Sequence, residues 1–104
     1  MTDIKRKEGA LELRSGSTTL RLDRAGSKAV LQRKFLFMKM KPAEMQFSDI
    51  ADVTLDVGVD RASGVEVCNA MLVSRAGSAF ALPAADKADA EKSASAMREF
   101  LGLH

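Results

Sequence analysis

The stretch Phe47-Ser48-Asp49-Ile50-Ala51-Asp52-Val53-Thr54-Leu55-Asp56-Val57-Gly58-Val59 decides the fold. Val53, Leu55, Val57 and Val59 share one parity, and Asp52, Thr54, Asp56, Gly58 and Asp60 share the other. Alternate side chains of a strand go to opposite faces. One face is therefore apolar and the other wet, as in a half-solvated antiparallel sheet. Ser48-Asp49 turns the chain with side-chain-to-backbone hydrogen bonds, and Ile50 points inward at the corner. This places the stretch in the middle of a small antiparallel barrel.

Working outward, residues 1–9 are charged and read as a flexible N-terminal tail, leaving residues 10–104 as a single domain. Ala10-Leu11-Glu12-Leu13 is either a first strand or part of that tail packed on the barrel. Residues 18–23 alternate, with Leu20 and Leu22 on one face. Arg24-Ala25-Gly26-Ser27 turns the chain, with Gly26 free to take positive φ. Residues 28–41 are long for one strand and mixed in parity: a bulge near Lys34 shifts the register, or both faces are covered. Pro42 ends the run.

Residues 65–73 are apolar on much of both faces, which suits a central strand. Arg75-Ala76-Gly77-Ser78 repeats the earlier turn tetrapeptide, but the flanks differ and convergence explains it better than duplication. After Pro83 the period changes. Asp86 is a candidate N-cap, and Ala90, Ala94, Met97 and Leu101 form one helical stripe beside Phe100. Gly102 suits the C′ position, with Leu103 placed to fold onto the last turn.

The chain has 104 residues, enough for one core, and a mean hydropathy of −0.09. With no Trp or Tyr, its five Phe and six Met supply the bulky core volume. Residues 1–41 carry a net charge of +7 and residues 42–104 a net charge of −5. Such halves either pair within the domain or make a basic face for an anionic partner. One cysteine excludes an internal disulfide and fits a reducing compartment. The N-terminus has no apolar leader and no window spans a membrane, so a cytoplasmic protein is expected.

Catalytic motifs are absent: no P-loop, no Gly-x-Gly-x-x-Gly and no Gly-x-Ser-x-Gly. Asp52, Asp56 and Asp60 share a face but recur about every 13 Å, too far apart to chelate one ion. Cys68 has no basic neighbour, and His104 is the only histidine. No enzyme, metal site or cofactor is expected. Arg21, Arg24, Lys28, Arg33 and Lys34 are the candidate anion-binding residues. Nucleic acid is disfavoured because stacking aromatics do not accompany this charge. Phe35, Leu36, Phe37, Met38, Met40 and Met45 are the candidate protein interface, since methionine-rich surfaces adapt to partners.

The Phe-Ser-Asp-Ile corner, three further strand-and-turn units, Pro83 and a terminal amphipathic helix resemble the pleckstrin-homology (PH-like) fold. Gln46-Phe47-Ser48-Asp49-Ile50-Ala51-Asp52-Val53 and Met97-Arg98-Glu99-Phe100-Leu101-Gly102 are similar to segments of bacterial PH-like domains, over roughly residues 10–103. The resemblance implies a mainly β domain with one C-terminal α-helix: a PH-like barrel of six or seven antiparallel strands capped by the helix. Two features depart from the family pattern. Phe100 or Met97 must replace the usual helix Trp, and the Lys/Arg-x-Arg of lipid-binding members is missing. The expected role is a non-catalytic module acting through protein contacts or self-association. Recognition of anionic lipid headgroups or other phosphates is the alternative.

Overall fold

The computed structural model describes residues 2–35, 38, 39 and 41–103. Two antiparallel sheets and one helix make up the domain. The first sheet is a run of hairpins: β1 (Asp3–Lys7), β2 (Ala10–Ser15), β3 (Thr18–Asp23) and β4 (Lys28–Phe35). The end of β4 pairs with β5 (Met38–Lys39), and its beginning with β6 (Ala43–Gln46). A single 3-10 turn, Phe47–Asp49, leads into the second sheet, with β8 (Glu66–Ser74) between β7 (Ile50–Val59) and β9 (Ala79–Ala84). Helix α1 (Lys87–Leu101) ends the fold.

Register turns the alternation of the sequence into continuous apolar rows. Leu11 pairs with Leu22, Leu22 with Ala29, and Ala29 with Met45. Beside that row lie Leu13, Leu20 and Leu31. In the second sheet Val53 pairs with Leu72, and Ala70 with Leu82. These residues and the helix residues Ala94, Met97 and Phe100 form one buried cluster. The buried helix face lies slightly off the expected stripe: Ser93 and Phe100 are inside, and Leu101 is half-buried.

The expected helix ends are present. The Asp86 carboxylate accepts from the Asp89 N–H at 2.8 Å. Gly102 adopts φ 72°, where its N–H reaches Glu99 O while the Leu103 N–H reaches Arg98 O, a Schellman closure. The two Arg-Ala-Gly-Ser turns differ: positive φ falls on Ser27 in the first and on Gly77 in the second. The same tetrapeptide is thus folded two ways, and the positive φ expected at Gly26 falls on the next residue instead.

The expected barrel is not formed, because the two sheets do not close on each other. Closure on one side would need a strand against the outer edge of β7. That space is taken by α1, whose Arg98 guanidinium donates to the Val53 carbonyl through Nε at 3.0 Å and also through Nη2. Glu99 of the same turn reaches Arg6 on β1 at 3.0 Å. The helix thus packs mainly on the second sheet and is tied to the first at its ends. On the opposite side a cleft of about 660 Å³ separates Lys28, Glu44 and Gln46 of the first sheet from Ser74, Ser78 and Phe80 of the second. The long strand expected over 28–41 divides into β4 and the short β5, and the bulge occurs between Ile50 and Asp52.

The segment read as a tail carries β1, which is anchored by a buried carboxylate. Asp89 accepts from the Thr2 N–H at 3.0 Å, the Thr2 hydroxyl at 2.9 Å and the Ala85 N–H at 2.9 Å. Burial alone would raise its pKa; these donors outweigh that and hold the carboxyl below the usual carboxylate range. A depressed folded-state pKa gives stability that is present above the unfolded value and lost as pH falls through the folded one. Chemical denaturation from pH 7 downward should show this loss below about pH 4. Asp89→Asn should reduce stability at pH 7 by about 2 kcal/mol and flatten the acid limb. The buried Ser93 hydroxyl has no hydrogen-bond partner among the described residues. Ser93→Ala should raise stability by about 1 kcal/mol in the same assay.

Candidate functional site

The alternation of β7 is as expected, but its apolar face is only partly covered. Val53 is fully buried, whereas Leu55, Val57 and Val59 are 38%, 44% and 65% exposed. Val65 and Val67 of the same hairpin are also exposed, but on the opposite face, where Val67 pairs with Gly58. Among the described residues, the only other exposed large apolar side chain is Ile4. Leu55, Val57 and Val59 make one exposed row on one face, which is more informative than scattered residues. Beside it, Leu55 of β7 and Glu91, Ala94, Ser95 and Arg98 of α1 line a shallow groove of about 270 Å³.

The backbone adds a second property. β7 is the terminal strand of its sheet, so one side of its ladder has no strand partner among the described residues. In an antiparallel pair, the N–H and C=O of successive residues point alternately toward the partner and away from it. The Asp60 N–H bonds inward to Val65 O at 2.9 Å. Odd-numbered residues of this segment therefore point outward, as Val53 confirms. Its carbonyl accepts from Arg98, and its N–H donates to Asp52 Oδ1 at 2.7 Å. Beyond this plug, Leu55, Val57 and Val59 present backbone groups to solvent on the same segment that exposes their side chains.

The candidate anion-binding residues do not converge. Arg24 stacks 4.4 Å from the Phe100 ring centroid and donates to Phe100 O at 3.0 Å. Lys28 pairs with Glu44 at 3.2 Å. Arg21 lies across from Glu12 on the outer face of the first sheet. Arg33 has the parity of the buried Leu31, so it points to the other face, away from Lys34. Of the candidate interface residues, Met45 belongs to the core. Phe35 and Met38 pair across the β4–β5 hairpin, and Leu36, Phe37 and Met40 lie outside the described residues.

Other chemistry has little to build on. Asp60 caps its own turn through the Ala62 N–H and the Ser63 hydroxyl. Asp52 serves Val53, and no acidic, cysteine or histidine cluster that could hold a metal occurs among the described residues. Desolvation and a hydrogen bond to Glu66 push the buried Cys68 thiol up, away from the reactive thiolate. In the cleft between the sheets, Lys28 bonds Glu44, and the Ser74 and Ser78 hydroxyls bond each other. His104 lies outside the described residues. Among the described residues, no helix is long and apolar enough to cross a membrane. No protein-family model, curated protein or solved structure matches the chain.

Parity groups Leu55, Val57 and Val59 on the apolar face of β7, and the structure leaves them uncovered there. Native-state amide exchange at low micromolar concentration tests the edge directly. The N–H groups of Leu55, Val57 and Val59 should exchange at least about tenfold faster than those of Thr54, Asp56 and Gly58, which face β8.

Proposed function

We propose that the chain is a non-catalytic interaction module of PH-like kinship that docks protein on the open half of β7. One observation carries this reading. Residues 55–59 combine exposed apolar side chains with outward backbone groups lacking a strand partner, beside a groove bordered by α1. Strand addition uses both: backbone hydrogen bonds supply affinity, and alternate side chains supply specificity. The succession of hairpin sheet, Phe47–Asp49 corner, three-stranded sheet and helix supports the kinship. The lone buried cysteine suits a cytoplasmic setting. Phosphate or lipid-headgroup binding has weaker support, because its candidate residues are engaged or lie on different faces.

Selection of displayed peptides on the wild-type protein tests this. Selected binders should be extended and alternately apolar. Val57→Lys and Leu55→Lys should each weaken them by about tenfold or more, or 1.4 kcal/mol, with unchanged thermal unfolding. Binders indifferent to both substitutions would remove β7 as the docking edge.

A further inference from the structure

The described strand edges are not equally protected. β1 carries Lys5, Arg6 and Lys7, and β9 contains Pro83, devices that discourage pairing. The first part of β7 is distorted by the bulge at Ile50/Asp52 and plugged at Val53 by Arg98 and Asp52. Residues 55–59 have no proline, no bulge and no charge on their apolar face. The turn at 60–65 bounds them on the other side.

We infer that the occupant of this edge is a second copy of the chain, paired antiparallel to β7 about a two-fold axis at Val57. This rests on reading the β7 edge as the contact surface. The register follows from three constraints. Only outward-pointing residues can exchange backbone hydrogen bonds, so odd positions must face odd positions. An axis at Val57 sets Leu55 against Val59 and Val57 against itself, giving about six backbone hydrogen bonds. An axis at Asp56 or Gly58 yields only about four, and an axis at Leu55 requires the plugged Val53.

Charge makes the same choice. An axis at Asp56 sets that carboxylate against itself, and one at Gly58 sets Asp56 against Asp60. The Val57 register sets Asp56 against Gly58, a residue with no side chain and open space where a Cβ would stand. On the helix side, Leu55, Val57 and Val59 of both copies come together and extend the apolar wall begun by Ala94. The contact is short, so it falls in the weak class below about 1,200 Å² of total buried surface. The expected dissociation constant is on the order of 10–100 μM, with rapid exchange.

Sedimentation velocity from low micromolar to several hundred micromolar tests the association. Wild type should move from monomer to dimer across this range, and Val57→Lys and Leu55→Lys should each remain monomeric. Cysteine pairing tests the register on a Cys68→Ala background. Positions 56 and 58 face each other as a non-hydrogen-bonded pair, with Cα atoms about 4.5 Å apart and within disulfide reach. Asp56→Cys mixed with Gly58→Cys under mild oxidation should give mainly the heterodisulfide, with little of either homodisulfide. A wild-type protein that stays monomeric throughout overturns the inference, as does equal yield of all three disulfides. If that monomer still binds selected peptides in a Val57-dependent way, the docking edge stands and only the second copy fails. If those peptides ignore Val57 as well, both fall.

Discussion

The contact on which the architecture turns is the Arg98 guanidinium on the Val53 carbonyl. A carbonyl buried at a sheet edge, out of reach of water, needs a protein donor, and the usual donor is another strand. Here the helix supplies it. The same element that covers the Val53 side chain therefore also satisfies its backbone. The consequence runs in two directions. The sheets cannot close across that edge, because the position is taken. The rest of β7 continues past the plug without cover. A helix of 15 residues is about 22 Å long, whereas a ten-residue strand is about 34 Å long. Even aligned with β7, α1 would leave its far end bare.

The ties that fix the helix differ in weight. Arg6–Glu99 joins two exposed side chains and is worth at most about 1 kcal/mol. Arg24 does more by stacking on Phe100 while donating to its carbonyl, and Phe47 meets the same ring edge-on at 6.4 Å. Asp89 is the strongest of these ties, because a buried carboxylate that lost its donors would be left unsatisfied. Both ends of α1 are thus held against the first sheet and its N-terminal strand. The middle is held by apolar packing on the second.

Local signals were legible where the physics is local. The alternation in residues 52–60, the Asp86 cap, the Gly102 closure and the central character of β8 all depend on neighbours in sequence. What was not legible depends on distant partners. Parity assigns Leu55, Val57 and Val59 to a face, but whether that face is covered depends on the reach of α1. The segment 3–7 lacks apolar alternation and looks like a tail. It is a strand because β2 pairs with it and because Thr2 is held by Asp89, 87 positions away. Barrel closure failed for the same reason: it is a relation between edges, and edge chemistry such as the Arg98 plug has no sequence period. Met45 shows the converse, since a methionine-rich run suggested a surface and the pairing with Ala29 put this member inside.

The opposed charges of the two halves of the chain meet directly in the ion pairs Lys28–Glu44 and Arg6–Glu99, and other charges pair within each half. Glu12 lies across from both Lys5 and Arg21, Glu44 meets Lys28, and Asp52 sits near Arg98. The candidate cations are engaged or lie on different faces, so they make no convergent site for an anion. That shifts the informative surface from charge to exposed apolar area. An open edge of unlimited length would pair in many registers and invite aggregation. This one is bounded by the Val53 plug on one side and the Asp60–Val65 turn on the other, which leaves a five-residue window. So short a window has one best register for a strand laid against it. The contact that keeps the sheets from closing therefore also limits the length of edge left open.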